Sequence, residues 1–323
     1  MRAITTNGFG DEDVLRLTEV ATPEPGPGEV LIRVTAAGVN RADLLQRQGF
    51  YPPPPGISDI IGLEVSGHIA ALGEGVDSWT IDAPCVALLA GGGYAEYVAV
   101  PAGQVVEPPP GVDLVSAAGL IEVAATVVSN LSAVGLAPGE VFLVHGGAGG
   151  IGTFAIQYAK ALGATVIATA GTADKRALCR ELGADVALDY HDDWAGGVRE
   201  ATGGHGADVI LDVMGAKYLE ANVATLAADG RLVVIGLQGG RKGTLDLNAL
   251  LVKRGTVTAT SLRGRPAAQK AAICAQVRDC VWPMLADGRI RPLPETRFPI
   301  ADVAEAHRRL ASGENTGKVL LIW

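Results

Sequence analysis

Five glycines fall within seven residues, Gly146 to Gly152, at the end of the stretch VFLVHGGAGGIG that begins at Val141. They fit two spacings at once, Gly147-x-Gly149-x-x-Gly152 and Gly147-x-x-Gly150-x-Gly152, with Ile151 between the last pair. The chemistry open to such a run is phosphate binding. A backbone without side chains turns tightly and approaches a ligand closely, and a helix that starts there aims free N–H groups and its positive dipole end at a pyrophosphate. The spacing alone is weak evidence, because a glycine-rich turn needs no ligand. Its context adds weight. An apolar run, Val141 to Val144, precedes it, a helix is expected from Thr153 with Phe154, Tyr158 and Leu162 on one face, and a second apolar run follows. Strand, loop, helix and strand in that order make a dinucleotide site.

The next residues bear on which dinucleotide. Folds that prefer NAD carry a carboxylate about 20 residues beyond the loop, at the end of the second strand. Here that place is taken by Ala170 and then Gly171, while Lys175 and Arg176 add positive charge just downstream. This combination suits a 2′-phosphate, so NADPH is expected over NADH. Other reactive side chains are unpromising. Cys85, Cys179, Cys274 and Cys280 are far apart with no CxxC pair, and His68, His145, His191, His205 and His307 show no metal-ligand spacing. His145, just before the glycines, reads as a packed strand end.

The elements that must position these residues fall into two classes. Up to about residue 122 the chain is β-rich: Val30 to Ala36, Glu64 to Leu72 and Tyr94 to Val100 read as strands, separated by proline and glycine clusters at 25–29, 51–56 and 108–111. A short helix is expected at Arg41 to Gln48. From about Val123 strands and helices alternate. Strands are expected at Thr165–Thr169, Val186–Leu188, Val209–Val213, Leu232–Ile235 and Thr256–Thr260, with helices at Ala173–Leu182 and Tyr218–Leu226. With Val141–Val144 these make six strands, which matches an α/β fold with a doubly wound parallel sheet. The tail from about Gly264 holds a helix, Ala267–Leu285, and a last strand, Lys318–Trp323, which should return to complete the first domain.

Composition sets outer bounds. The 323 residues suffice for two domains, 48% are hydrophobic and 19% charged, and disorder is not expected. A formal charge of −9 argues against nucleic acid as a partner. There is neither a secretory h-region nor an apolar run near the ~20 residues that cross a bilayer. With scattered thiols and no disulfide framework, a soluble cytoplasmic protein without a membrane partner is expected.

Five segments in collinear order carry a family resemblance: GVNRADLLQRQGFYPPPPG at 38–56, IIGLEVSGHI at 60–69, GGGYAEYVAVP at 91–101, VHGGAGGIG at 144–152 and NTGKVLL at 315–321. Together they resemble the medium-chain dehydrogenase/reductase superfamily. Within it they are most similar to the zinc-free quinone oxidoreductases, in the branch typified by the p53-inducible quinone reductase. The resemblance implies a GroES-like β-rich catalytic domain, residues 1–122 and 264–323, and a Rossmann domain, 123–263. Zinc-dependent members carry a cysteine where this chain has Asn40, and Gly-His-Glu where it has Gly62-Leu63-Glu64. Two ligands of the kind a catalytic zinc needs are therefore missing, as is the four-cysteine structural lobe. The chain also departs from the family at Asp82-Ala83, where many members have Gly-Asp.

Residue by residue, the resemblance implies that Asn40 and Thr126 lie beside the nicotinamide. It puts Gly149, Gly150 and Gly152 at the pyrophosphate, and Gly171, Lys175 and Tyr190 around the 2′-phosphate. Val234, Ile235 and Gly236, with Thr260, Ser261 and Leu262, would line the nicotinamide half of the cleft. Asn315 and Lys318 join from the tail. Tyr51, in the proline-rich loop, is the expected hydrogen-bond donor to substrate. The expected reaction is zinc-independent hydride transfer from NADPH to a small quinone, which needs mainly orientation and an oxyanion donor. Two other functions fit the same residues. An enone or enoyl-thioester reductase would want a basic mouth, for which Arg41, Arg47, Arg263 and Arg265 are candidates. A non-catalytic NADPH-binding protein would show cofactor affinity without turnover. The resemblance also implies a homodimer formed through the edge strand Thr256–Thr260.

Overall fold

The computed structural model describes residues 1–323, which divide into two compact units. One comprises Met1–Ala125, Leu262–Gly288 and Pro292–Trp323; the other comprises Thr126–Ser261 and Arg289–Arg291. In chain order the elements are β1 (Arg2–Thr6), β2 (Leu15–Glu19), β3 (Glu29–Val39), α1 (Arg41–Arg47), β4 (Glu64–Leu72), β5 (Pro84–Leu88), β6 (Tyr97–Pro101), β7 (Val105–Val106), α2 (Leu114–Ala117) and α3 (Ile121–Val134). There follow β8 (Val141–His145), α4 (Gly150–Ala161), β9 (Thr165–Ala170), α5 (Ala173–Glu181), β10 (Val186–Asp189), α6 (Trp194–Ala201), β11 (Ala207–Asp212), α7 (Leu219–Thr225), β12 (Leu226–Val234), α8 (Leu247–Val252) and β13 (Thr256–Ala259). The tail holds α9 (Ala267–Ala286), β14 (Glu295–Pro299), α10 (Val303–Ser312) and β15 (Lys318–Ile322).

The second unit is built on a six-stranded sheet in the order β10-β9-β8-β11-β12-β13, every pair parallel. Counted within the unit this is 3-2-1-4-5-6, the doubly wound order, whose switch point lies between β8 and β11. Phe142, Leu143 and Val144 are fully buried, as a central strand covered on both faces requires. Helix α4 starts at Gly150, three residues earlier than expected, with Gly149 as its N-cap and the Thr153 N–H donating to Gly149 O at 2.9 Å. Strand β12 is also longer than the apolar run LVVI, starting at Leu226. The polar Asp229-Gly230-Arg231 inside it hid the extension, and a register shift against β11 accommodates it, with Asp229 at φ 61°. The predicted helix at Tyr218–Leu226 resolves into a 3₁₀ turn, Gly215–Tyr218, followed by α7.

The first unit is organised by a sheet in the order β14-β15-β3-β4-β5-β7, with β6 also paired to β3. Its core gathers Ile32, Val65, Ile69, Val98 and Val319 around the eleven-residue β3. The tail strand β15 runs antiparallel to β3, so the C-terminal segment completes this sheet. The expected strand at Tyr94–Val100 begins only at Tyr97; Tyr94 and Ala95 instead meet the N-terminal strand, through Ile4 N–H to Tyr94 O at 2.8 Å and a bridge between Ala3 and Ala95. At the Asp82-Ala83 departure Asp82 adopts φ 62°, a left-handed conformation that glycine takes freely and aspartate tolerates. Strand β14 and helix α10 carry no signal that the sequence reading used. No helix is long and apolar enough to cross a membrane.

Candidate active site

The glycine loop leaves β8 at its carboxyl end, at the switch point of the sheet. Its glycines do different things. A Cβ on Gly152 would stand 2.3 Å from Gly146 O and 2.5 Å from Gly147 Cα, and one on Gly147 would stand 2.8 Å from both Ala168 Cβ and Cys179 Sγ. These two positions are glycine because helix, strand and loop pack too closely for any side chain. Such packing also requires the helix to begin inside the glycine run. Gly149 differs: its nearest neighbour is Gly146 O at 3.5 Å, so the protein alone does not forbid a side chain there. The first-turn N–H groups of α4 at Gly150, Ile151 and Gly152 have no intrahelical acceptors. A half-buried cradle that the protein does not itself fill, backed by a helix start, fits a pyrophosphate.

Behind the loop, His145 is buried between Thr169 and Asn222. Its Nε2–H donates to Asn222 Oδ1 at 2.7 Å and Thr169 Oγ1 lies 3.1 Å from Nδ1. The rings of Trp194 and Tyr218 meet it edge-on at 4.7 and 4.8 Å. Burial pushes its pKa down to about 4, so it is a neutral packed group. Burial likewise pushes the Cys85 and Cys274 thiols up to about 12 and Cys179 to about 11, which leaves them inert at neutral pH.

Sheet register explains the next grouping. Asp189 of β10 pairs with Ala170 of β9, so the following residues, Tyr190 and Gly171, come together. A Cβ on Gly171 would lie 2.4 Å from the Tyr190 hydroxyl, which shows how closely the phenol covers that backbone. Lys175 stands in the first turn of α5, which Thr172 caps by accepting the Lys175 N–H at 3.3 Å. Arg176 does not share this role: its guanidinium pairs with Asp189, which also holds His191, so its charge is neutralised within the protein. Val234 ends β12, Ile235 N–H donates to Asp212 O at 2.8 Å, and Gly236 lies so close over Val213 that a Cβ would meet its carbonyl at 2.8 Å. Thr126 and Thr260 are joined by a residue the sequence reading missed. Asn130, buried, donates to Thr126 O at 2.7 Å and accepts the Thr260 hydroxyl at 2.6 Å. Ser261 is exposed and Leu262 half-buried.

In the first unit Asn40 caps α1 and its side chain is held by two charged groups. Asn40 Nδ2 donates to Glu64 Oε1 at 2.9 Å, while Lys318 Nζ donates to Asn40 Oδ1 at 2.7 Å and to Glu64 Oε1 at 2.6 Å. Lys318 and Glu64 are 4% and 0% exposed, so this ion pair is fully desolvated. By the resemblance, these are positions around a zinc in metal-dependent members. Here the oxygens of Asn40 and Glu64 accept from an ammonium, Leu63 offers no donor, and no group of three His, Cys, Asp or Glu is placed to hold a metal. The residues present do not fit a zinc ion. Asn315, by contrast, folds back on its own turn, donating to Gly317 O at 3.2 Å.

A second buried chain supports Asn40 from below. Asp43 Oδ2 accepts the Asn40 N–H at 2.7 Å and the Tyr94 hydroxyl at 3.0 Å. His307 Nε2 lies 3.2 Å from that hydroxyl, and its Nδ1 lies 3.5 Å from Arg47 NH1. Desolvation raises the Asp43 carboxyl to about 7, against the opposing pull of these hydrogen bonds and of Lys318. Tyr51 is positioned by Arg263, whose guanidinium lies 5.1 Å from the centre of its ring and donates to Tyr51 O at 3.1 Å. Of the arginines considered for a basic mouth, Arg263 and Arg47 are buried, Arg41 is exposed and Arg265 half-buried.

Two family descriptions match the chain: an alcohol dehydrogenase GroES-like domain over residues 26–110 and a zinc-binding dehydrogenase over residues 150–275. A quinone oxidoreductase of Pseudomonas aeruginosa is 32% identical over 97% of both chains. The chain belongs to the medium-chain dehydrogenase/reductase superfamily. Its fold is accordingly a GroES-like domain joined to a Rossmann-like parallel sheet. The Escherichia coli quinone oxidoreductase complexed with NADPH superposes with a TM-score of 0.91 at 29% identity, covering all of both chains. The CurK enoyl reductase superposes at 0.88 with 26% identity, over 99% of this chain and 98% of that one. Mycobacterial phenolphthiocerol/phthiocerol polyketide synthase subunits are 32% identical over 97% of this chain, which spans 14% of their length.

Proposed function

We propose that this superfamily member is an NADPH-dependent reductase that transfers hydride to small quinones without a metal. The observation that carries this reading is the Lys318–Glu64–Asn40 cluster. It puts a buried ammonium, rather than a Lewis-acidic ion, where the resemblance puts the reacting centre. An acceptor reduced there must need little electrophilic activation, and a quinone meets that condition because it becomes aromatic on taking a hydride and a proton. NADPH supplies the hydride when bound. The loop at Gly149–Gly152 and the start of α4 would hold its pyrophosphate, and Gly171, Lys175 and Tyr190 its 2′-phosphate. The Lys318–Glu64 pair and Asp43 fix Asn40 from two sides, so its amide is held in one orientation. Tyr51, clamped by Arg263, would donate a hydrogen bond from its hydroxyl to the quinone oxygen on which charge develops.

Similarity to the CurK enoyl reductase supports a second reading, hydride delivery to the β-carbon of an α,β-unsaturated thioester or ketone; fold does not separate the two. NADPH oxidation measured in parallel with 1,4-benzoquinone, a 1,2-naphthoquinone and crotonyl-coenzyme A, with NADH as cofactor control, does separate them. Quinone-dependent oxidation that prefers NADPH is the expected result. Turnover of the thioester alone would transfer the protein to the second reading, and tight NADPH binding with no turnover would make it a binding protein. We also propose a homodimer in the cytoplasm. Strand β13 ends its sheet with one edge unpaired, and beside it α8 exposes Leu247, Leu251 and Val252. A monomeric mass in solution would remove that assembly.

A further inference from the structure

The first unit carries a groove of about 750 Å³ that shares only Arg263 with the roles above. Strand β6, the loops around residues 54–60 and 89–92, and the segment leading into α9 form its walls. Its charge is inverted relative to the chain, whose net charge is −9. Arg263, Arg265 and Lys270 line it against a single carboxylate, Glu29. None of the three cations has a carboxylate within ion-pair distance. Arg263 spends its guanidinium on neutral acceptors: Ala90 O at 2.6 Å, Tyr51 O at 3.1 Å and Gln46 Oε1 at 2.7 Å. Lys270, only 6% exposed, has one acceptor, Arg263 O at 3.5 Å. Arg265 reaches Gln269 Oε1 at 3.5 Å, and its Nε is buried without an acceptor. Buried cations are normally paired, so this cluster calls for an anion. The 20-residue helix α9 begins at the same place, with Pro266 as an N-cap that supplies no side-chain acceptor.

The rest of the groove specifies what the anion is attached to. Ile57, Ile60, Pro54 and Pro55 make apolar walls. The antiparallel register, with Val98 opposite Ile32 and Val100 opposite Val30, turns the backbone N–H and C=O of Tyr97 and Ala99 away from β3. Gln104, at the wall and 3% exposed, has an Oε1 without a donor. An unpaired strand edge suits an extended chain that carries amides.

We propose that this groove binds a phosphate ester on an extended, amide-containing arm, the phosphopantetheine class, with its phosphate at Lys270, Arg265 and the start of α9 and its amides along β6. Because Arg263 lines the groove and also clamps Tyr51, occupation is felt at the residue proposed to meet substrate. Binding itself does not depend on the identity of the acceptor; the consequence for catalysis rests on the enoyl-thioester reading above.

The test is calorimetric titration of the full chain, saturated with NADP⁺ to fill the dinucleotide site, with 4′-phosphopantetheine, pantetheine, inorganic phosphate and coenzyme A. Phosphopantetheine is expected to bind at least ~10-fold more tightly than pantetheine or inorganic phosphate, a difference within reach of one charge-assisted contact. Arg265→Glu and Lys270→Gln should each weaken phosphopantetheine by at least ~10-fold, with pantetheine and NADP⁺ unchanged. Retained NADP⁺ binding shows that the variants fold, and the half-buried Arg265 tolerates replacement even if Lys270 does not. Equal affinity for pantetheine and phosphopantetheine, or variants indistinguishable from the parent, would overturn the site. So would inorganic phosphate binding as tightly as the whole arm. Coenzyme A binding alongside phosphopantetheine identifies the free thioester carrier; its exclusion identifies an arm presented by a carrier protein. Loss of quinone turnover with phosphopantetheine binding intact would remove the quinone proposal and leave this one standing.

Discussion

The two units position their candidate residues by opposite means. The glycine loop of the second unit works by omission: Gly147 and Gly152 let backbones touch, Gly149 leaves room, and the adjacent His145 is kept neutral by burial. The first unit works by inclusion. It buries Lys318, Glu64, Asp43, Arg47 and Arg263 and makes them hold Asn40 and Tyr51 in place. Omission costs conformational entropy in the unfolded chain, whereas inclusion costs desolvation, which is recovered only if every partner is present. The first design should therefore fail locally and in proportion to the atoms added, and the second should fail abruptly when one partner is lost.

The largest expected effect breaks the included half. Lys318→Met leaves Glu64 charged, buried and unpaired, which should cost about 3–5 kcal/mol in urea unfolding. The double variant Lys318→Met/Glu64→Gln should recover most of that loss. A single-variant cost below about 1 kcal/mol, the range of an exposed pair, would mean that the ion pair is not what holds the site.

Titration of the same network is the next lever. Folding raises the Asp43 carboxyl from 3.8 to about 7, so between those values the folded state holds a proton that the unfolded state does not. Its contribution to stability is complete below pH 3.8 and is lost as pH rises through about 7. The buried histidines act in the opposite sense. Lowered from 6.5 to about 4 for His145 and about 3 for His307, they contribute fully above pH 6.5 and lose that contribution as pH falls through the folded values. Asp43→Asn keeps an acceptor for Asn40 and Tyr94 but removes the opposing component. The melting temperature of the variant should then rise more steeply with pH between about 4 and 7 than that of the parent. Parallel profiles would show that Asp43 titrates as an ordinary carboxylate.

A paired substitution tests the omitted half. Gly152→Ala forces a Cβ into Gly146 and Gly147 backbone and should cost about 1–3 kcal/mol of stability as an overpacked contact. Gly149→Ala meets nothing closer than 3.5 Å, so the fold should be unaffected and any loss should appear in cofactor affinity alone. Equal destabilisation by both would contradict the division of labour among these glycines.

Legibility in the sequence follows the same divide. The parallel sheet could be read because its strands are unbroken apolar runs and its loop is made of glycine, both local signals. The apolar run LVVI marks only the end of β12, because Asp229-Gly230-Arg231 sits inside the strand and a bulge leaves no apolar trace. The start of α4 is hidden in the sequence because the glycines that look like loop are in its first turn. In the first unit, Asn40 and Tyr51 could be reached through the resemblance, but their supports could not. Asp43, Tyr94 and His307 meet across separations of 51 and 213 residues, and Arg263 reaches Tyr51 across 212. No periodicity encodes such contacts. Arg47 and Arg263 looked like surface charge because residue type alone does not reveal burial, and Asn130 was missed because its role exists only once Thr126 and Thr260 are neighbours.

The smallest expected effect asks which cation of the second unit reads a phosphate. Arg176 looked equivalent to Lys175 in sequence, yet it is committed to Asp189. Lys175 lies at the capped start of α5, the helix that follows Gly171, whose backbone Tyr190 covers. If that corner receives a 2′-phosphate, Lys175→Ala should weaken NADPH by about 1.5 kcal/mol, the lower end for a charge-assisted contact because the residue is only half-buried. NADH, which lacks the phosphate, should bind as before. Arg176→Ala should do the reverse of what its charge suggests, loosening the β10 end of the sheet while leaving the ratio of NADPH to NADH affinity nearly constant. Fluorescence titration of both cofactors against both variants gives four affinities. If Lys175→Ala lowers NADPH and NADH equally, the lysine supports the loop and does not read the phosphate. Discrimination would then fall to Tyr190 and the α5 N–H groups, and the second unit would work by omission throughout.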